Sequence, residues 1–303
     1  MEKLLTIGAV LWDIFPDEIH IGGAPFNVAA HAARRGMKAY ILTRIGKDEL
    51  GEKSQTEFQQ LNVHNDFVQL DEEKPTGIAK VTFSSPGIPE YDIPEDVAYN
   101  NIQCTELLLS QLEEHNFDFI YFGSMEQKSL INRYTISEVL NKAKKKYVFF
   151  DVNIRFGFYP LEVMEKSFRA ADIVKINDEE ALLLSKLFYG ESMDFEAFAL
   201  KASSDFHIRI FIITLGAKGC IIYDQKESRF EMVPGFKVQV ADTVGSGDGF
   251  CAAFMETFAR TNNPFEAARE GNRLGAYIAS KSGAIPKIEW EELEMIGKTQ
   301  LNK

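Results

Sequence analysis

Short apolar runs alternate with stretches of helical periodicity along most of the chain. The runs LLTIGAVL (4–11), AYILTRI (39–45), DFIYFG (118–123), YVFFDV (147–152), DIVKIN (172–177) and RIFIITLG (209–216) predict strands. Several are apolar almost throughout, as strands buried on both faces of a parallel sheet are. Helical spacing falls between them, near 25–36, 49–61, 104–115, 128–146, 160–171 and 178–188, and again at 245–260 and 264–282, where Asn263–Pro264 opens the last helix. This alternation predicts an α/β fold, a doubly wound, mostly parallel sheet flanked by helices. One stretch departs from it. TGIAKVTFSSPGIPEYDI (76–93) alternates apolar and polar residues around central turn residues, the pattern of a half-solvated hairpin that is either decoration or a lid over a site.

Length and composition narrow the classes. At 303 residues the chain is near the upper size for one hydrophobic core, so one large domain with an attachment is expected. The net charge is −12, with Lys and Arg scattered apart from Lys144–Lys145–Lys146, which argues against a nucleic-acid or anionic-membrane partner. Three cysteines without a CxxC pair indicate neither a disulfide framework nor a cysteine zinc site, and fit a reducing, cytoplasmic setting. The apolar start ends in Asp13 without a small-x-small cleavage site, so it reads as a buried first strand rather than a signal peptide. No run approaches a membrane span in length.

The strongest chemical signal is ADTVGSGDGFCAAF (241–254). Gly245, Ser246 and Gly247 precede a helical pattern, so their backbone N–H groups offer an anion site at a helix N-terminus. Asp248 puts a carboxylate inside that site. A helix cap accounts for the aspartate but not for the small residues before it. Both make sense if the loop cradles a phosphoryl group while Asp248 takes a proton from its acceptor. The glycine spacing, late in the chain, does not match a dinucleotide fingerprint, which disfavours a dehydrogenase, and no GxxxxGK[ST] appears.

DTVGSGD resembles the C-terminal signature of the ribokinase-like (PfkB) carbohydrate kinases, with Ser246 where alanine is commoner. IGGAPFNVAAHAARRG (21–36) with RIGKDELG (44–51) is similar to the family's N-terminal signature, KINDEEA (175–181) to its NxxE element and TLGAKGC (214–220) to its nucleotide loop. Four motifs in the family's order cover nearly the whole chain. The resemblance implies one kinase domain over 1–303, with a small β lid from about 12–21 and 76–101. It further implies transfer of phosphate from ATP to a sugar hydroxyl, with Asp248 as base and Gly245, Ser246 and Gly247 as anion hole.

Asp13, expected at the end of the first strand, with Gly22, Gly23 and Asn27, matches family positions that bind the sugar. Asp151, Asn153 and Arg155 alternate as a strand leaves the sheet, which puts them on one face; the family segment flanks the substrate, and a solvated strand end with an ion pair is the other reading. Asn177 and Glu180 look like the pair that organises Mg2+ and its waters, or simply a helix start with acids in its first turn. Thr214, Gly216, Gly219, Thr243, Gly245, Gly247 and Asn272 match nucleotide-binding positions, although a helical surface asparagine accounts for Asn272 equally well. By resemblance, Asp242 and the 278–283 backbone offer a site for K+, and the lid could pair two subunits. LWDIFPD (11–17), GGAPFN (22–27), GIPEYDI (87–93) and VAYN (97–100) look most like bacterial fructokinases. A 2-keto-3-deoxygluconate-type kinase, using Arg155 on a carboxylate, is the near alternative, and a non-catalytic sugar sensor the alternative of a different class.

Overall fold

Strand β1 (Lys3–Ile7) shares its side chains between two cores. Leu5 and Ile7 join one apolar cluster and Leu4 the other, as the two-residue period of a strand requires. The structure, a computed structural model, describes residues 1–15, 18–85, 88–155 and 157–297. After β1 come β2 (Leu11–Ile14), β3 (Ile19–Gly22), α1 (Ala24–Arg34), β4 (Lys38–Gly46), α2 (Glu49–Gln60) and β5 (Val68–Asp71). The middle of the chain supplies β6 (Gly77–Ser85), β7 (Ile88–Asp92), α3 (Glu106–Glu113), β8 (Asn116–Gly123), α4 (Leu130–Lys142), β9 (Lys144–Asp151) and α5 (Leu161–Ala170). It ends with β10 (Ile173–Asn177), α6 (Asp178–Tyr189), α7 (Phe195–Phe206), β11 (Ile210–Thr214), β12 (Gly219–Asp224), β13 (Arg229–Pro234), α8 (Ser246–Thr261), α9 (Pro264–Ala279) and α10 (Trp290–Met295).

Nine strands form the main sheet in the order β13-β12-β11-β10-β9-β8-β1-β4-β5. Pairing is parallel throughout except at β11–β12 and β12–β13. Helices α3 to α7 cover one face and α1, α2, α8 and α9 the other. The fold is therefore the doubly wound α/β type that the alternating pattern predicts. From β1 the chain goes to β4 on one side and to β8 on the other, so the strand order switches there. The crevice beyond the carboxyl ends of the strands at such a switch is where open α/β sheets bind ligands.

A second, four-stranded sheet, β3-β2-β6-β7, stands over that crevice. The 76–93 pattern becomes the antiparallel pair β6 and β7, while the turn at 86–87 lies outside the described residues. Of 12–21, β2 and β3 contribute, with 16–17 also outside the description; 93–101 contains no strand. Trp12 pins β2 to α2, donating from Nε1 to Ser54 Oγ at 2.9 Å and to the Leu50 carbonyl at 3.2 Å.

Three expectations change. The apolar run 4–11 is two strands in two sheets, because the chain turns at Gly8 with φ +141, and Asp13 thus belongs to β2 rather than to the end of the first strand. The helix expected over 128–146 stops at Lys142, where Ala143 turns extended and Lys144–Lys146 begin β9. Helix α7 was not foreseen, although Phe195, Phe198, Ala199, Ala202 and Phe206 carry its spacing and Asp194 caps it.

The segment returning from the second sheet is held by buried Asn132 of α4. Its Oδ1 accepts the Ile102 N–H and its Nδ2 donates to the Tyr99 carbonyl, both at 2.9 Å. Asn132→Ala leaves both backbone groups without that partner in a dry site, at a cost of about 1–3 kcal/mol for each. Urea unfolding should therefore show a clearly lower midpoint with an unchanged slope; an unchanged midpoint would remove Asn132 as the anchor.

Candidate active site

The ends of the main-sheet strands and the underside of the second sheet enclose a cavity of about 510 Å3. Asp13, Gly23, Asn27, Asn153, Arg155 and Asp248 all line it. Asp13 alternates with Trp12 along β2, so with Trp12 turned to α2 its carboxyl is left to the cavity. Asn27 sits one turn into α1, which starts on Ala24 with Pro25 next. The helix is preceded by Gly23 at φ +106, where a Cβ would lie 2.3 Å from the Ala9 carbonyl, so only glycine lets the chain enter α1 from this loop. Asn27 Nδ2 donates to Asp248 Oδ2 at 2.8 Å, and its buried Oδ1 has no hydrogen-bond partner among the described residues.

The glycine loop forms the opposite wall. Gly245, at φ +77, is the N-cap of α8, and a Cβ there would meet the Ala284 carbonyl at 2.6 Å. The helix has no side-chain cap, and the hydrogen bond of Asp248 goes across to α1. The capping explanation for this aspartate is therefore not what the geometry displays. Beyond the loop lies a second cavity of about 560 Å3, whose walls include Thr214, Gly216, Gly219 and Asn272. Thr243 and Gly247 line both cavities, so the two spaces meet at the loop. His31 supports this junction from below: burial pushes its pKa down to about 4, and its Nε2 lies 2.9 Å from the Ala284 oxygen.

Burial dominates the electrostatics. It pushes Asp248 up to about 6, against the lowering pull of the Asn27 hydrogen bond. It likewise raises Asp13 to about 6, partly offset by His20. Burial works against the charge on Lys175, but Asp151, with Oδ1 2.8 Å from Nζ, outweighs it and keeps the lysine a firm cation.

Other sequence candidates take different places. Gly22 adjoins the Asp13 carboxyl but does not line the cavity. Asp151 is buried against Lys175 at the end of β9, and the chain then leaves strand geometry, with Asn153 at φ +41. The strand alternation expected to align Asp151, Asn153 and Arg155 is therefore absent, yet all three reach the same cavity. Asn177 and Glu180 line neither cavity. They form a capping box at the start of α6, and Glu180 Oε1 also accepts the Ile154 N–H at 2.7 Å. Asn272 Nδ2 is engaged by the Val233 and Pro234 carbonyls. Asp242 accepts from the N–H groups of Val244 and Gly283, tying the glycine loop to the segment after α9.

Two charge-bearing lining residues escaped the sequence reading. Glu126 follows β8 and is buried beneath the cavity, its Oε1 3.4 Å from the Ala9 N–H. Its only signal is an acid just beyond an apolar strand. Lys175 announces itself better, as a lysine in the middle of the apolar strand IVKIN.

The profile of the pfkB family carbohydrate kinases matches residues 16–291. A protein of Pyrococcus horikoshii described as an uncharacterized sugar kinase is 32% identical over 292 residues, covering 93% of this chain and 88% of its own. Fructokinase-2 of Zea mays is 28% identical over 318 residues, covering 94% and 90%. The fold is shared with fructokinase from Xylella fastidiosa, solved with bound ATP (TM-score 0.86, 20% identity, 99% of both chains). It is also shared with fructokinase from Vibrio cholerae, solved with fructose, ADP and calcium (TM-score 0.82, 22% identity, 98% of this chain and 99% of that one). The chain belongs to the pfkB family of carbohydrate kinases, and it is a phosphotransferase. No helix among the described residues is long and apolar enough to cross a membrane.

Glu126 provides a test of the cavity's electrostatics. Burial raises its carboxyl from an ordinary 4.5 to about 7. A raised folded-state value means stability that is complete below the unfolded value and is lost as pH rises through the folded one, at about 1.4 kcal/mol per unit. Glu126→Gln removes that loss. Its melting temperature relative to wild type should therefore climb between pH 5 and pH 8; a pH-independent difference would mean that Glu126 is ionised throughout.

Proposed function

We propose that the protein transfers the γ-phosphoryl group of ATP to a hydroxyl of fructose. The observation that carries this reading is the meeting of two cavities at one glycine loop, with a buried carboxylate on one side of it. The sugar occupies the cavity between the sheets, where Asp13 accepts from its hydroxyl groups and Asn27 lines the wall beside Asp248. The nucleotide occupies the second cavity, with its phosphates reaching Gly245–Gly247. Asp248 takes the proton of the attacking hydroxyl as the new O–P bond forms, and the bond to the leaving β-phosphate breaks with its electron pair going to ADP. Loop N–H groups and the α8 N-terminus stabilise the charge on the transferring group. The second sheet excludes water that would otherwise accept the phosphate.

Mg2+ would supply positive charge against the nucleotide phosphates, and Asn177 and Glu180 are the residues proposed to organise its water. Both Glu180 carboxylate oxygens already accept backbone N–H groups and the residue lines neither cavity, so it would act on the ion only through water. Asp242 with the 278–283 backbone is the corresponding proposal for K+.

Fructose is favoured by the fructokinase names among the relatives, such as Fructokinase-2 of maize and Fructokinase of Vibrio alginolyticus. Arg155 at the cavity favours the second reading, an acid sugar of the 2-keto-3-deoxygluconate type. In a panel of sugars with ATP and Mg2+, fructose should give the highest kcat/KM by ADP release. A higher value for 2-keto-3-deoxygluconate would transfer the assignment to the acid sugar.

The role of Asp248 separates from that of a structural aspartate by one substitution. Asp248→Asn keeps the size and the polar contact to Asn27 but cannot accept the proton. Its kcat at saturating substrates should fall by roughly 10²–10⁴, with sugar and nucleotide affinity retained. Turnover near wild type would rule it out as the base.

A further inference from the structure

A lysine in the middle of a central apolar strand needs a reason. Lys175 is 7% exposed, and beside it in β9 Asp151 takes one hydrogen bond from its ammonium. The other Asp151 oxygen accepts from Tyr121 Oη at 3.0 Å and lies 3.5 Å from Cys251 Sγ. This polar cluster sits in a sheet otherwise packed with aliphatic and aromatic side chains. Stability alone does not account for it, because a buried ion pair is commonly no better than a well-packed apolar replacement.

Its position offers another account. Lys175 lines the cavity assigned above to the sugar. Its Nζ lies 3.6 Å from the point where a Cβ on Gly247 would sit, and Gly247 is one of the two residues common to both cavities. The ammonium is therefore beside the backbone of the anion loop, at the junction of the two spaces. Among the described residues it makes one hydrogen bond, which leaves two of its three protons for a group placed there.

The surroundings create a need for that charge. Asp13, Glu126, Asp151 and Asp248 line the same cavity, in a chain of net charge −12. The other lining cation, Arg155, is exposed. A phosphoryl group arriving at the loop meets a field of carboxylates that the loop N–H groups alone offset weakly.

We infer that Lys175 is a catalytic residue of the transfer, its ammonium contacting the phosphoryl group as it passes between the cavities. This rests on the phosphotransfer reading above. Lys175 keeps its proton throughout: the sugar proton goes to Asp248, the P–O bond to ADP breaks, and the lysine offsets charge on the phosphoryl oxygens in flight. Asp151 is its positioning residue, holding the ammonium under the loop while the Tyr121 hydroxyl holds the carboxylate.

The test uses Lys175→Met and, because that change leaves Asp151 buried and unpaired, the double variant Lys175→Met/Asp151→Asn, which removes both charges. Thermal melts establish that the variant assayed is folded. The expected result is a fall in kcat of about 10²–10³. Calorimetry should show weaker binding of a non-hydrolysable β,γ-analogue of ATP and unchanged binding of ADP, which lacks the transferring group. A merely structural lysine would weaken both nucleotides together. A folded double variant with wild-type turnover, or equal changes for ADP and the analogue, overturns the inference. If the wild-type protein phosphorylates no sugar in the panel, the proposed function fails on its own, and the comparison of the two nucleotides still decides the place of Lys175.

Discussion

The 2.8 Å hydrogen bond from Asn27 to Asp248 is the contact on which the site's geometry depends. It joins residues far apart in sequence, one in the helix that follows the second sheet and one in the helix that follows the glycine loop. Helices α1 and α8 lie on the same face of the main sheet and bring their N-terminal turns together there. Without this donor, Asp248 would be a buried carboxylate facing Asp151, and burial would favour its neutral form more strongly. A single amide thus fixes the direction of the carboxylate and eases its ionisation.

Around that contact the protein balances opposed demands. An anion site wants positive potential, and a general base wants to be negative. On the proposed reading the loop N–H groups and the Lys175 ammonium beside Gly247 would meet the phosphate, while the carboxylates of Asp13 and Asp248 would face the acceptor. Glycine is what permits the separation at Gly245, whose backbone turns against Ala284 with no room for a side chain. His31, neutral and buried, supports Ala284 from α1, so the floor of the loop and α1 belong to one packed unit.

Much of this was legible in the chain, and the failures have physical causes. Buried parallel strands announce themselves as apolar runs, and the glycine loop announces a backbone without side chains. Asp248 could be singled out because a carboxylate inside an anion loop is electrostatically costly. The run 4–11 misled because Gly8, Ala9 and Val10 stay apolar after the strand has ended; burial persists while the backbone changes direction. Lys144–Lys146 suggested a continuing helix because lysine favours helices, yet here it occupies the solvent-facing start of β9. Asn153 could not be placed by strand alternation, since β9 ends at Asp151 and Asn153 takes a positive φ. Lys175 and Glu126 are ionisable residues in apolar settings, and each needed its partner across the sheet before its meaning could be read.

The second sheet is assembled from two excursions of the chain, one leaving between β1 and α1 and the other between β5 and α3. They meet through parallel pairing of β2 with β6, Leu11 opposite Gly77 and Ile14 opposite Lys80. Parallel strands from separate excursions share no tight turn, so neither can template the other locally, and the loop-closure entropy between them must be met first. In kinetic terms this pairing, Leu11 with Gly77, closes a shorter stretch of chain than the β1–β8 pairing of Leu4 with Phe119 or the contact of Asn27 with Asp248. By loop length the second sheet can therefore form before the glycine loop is docked. A chain emerging from synthesis would hold the roof of its crevice before the wall at Gly245 arrives to close it.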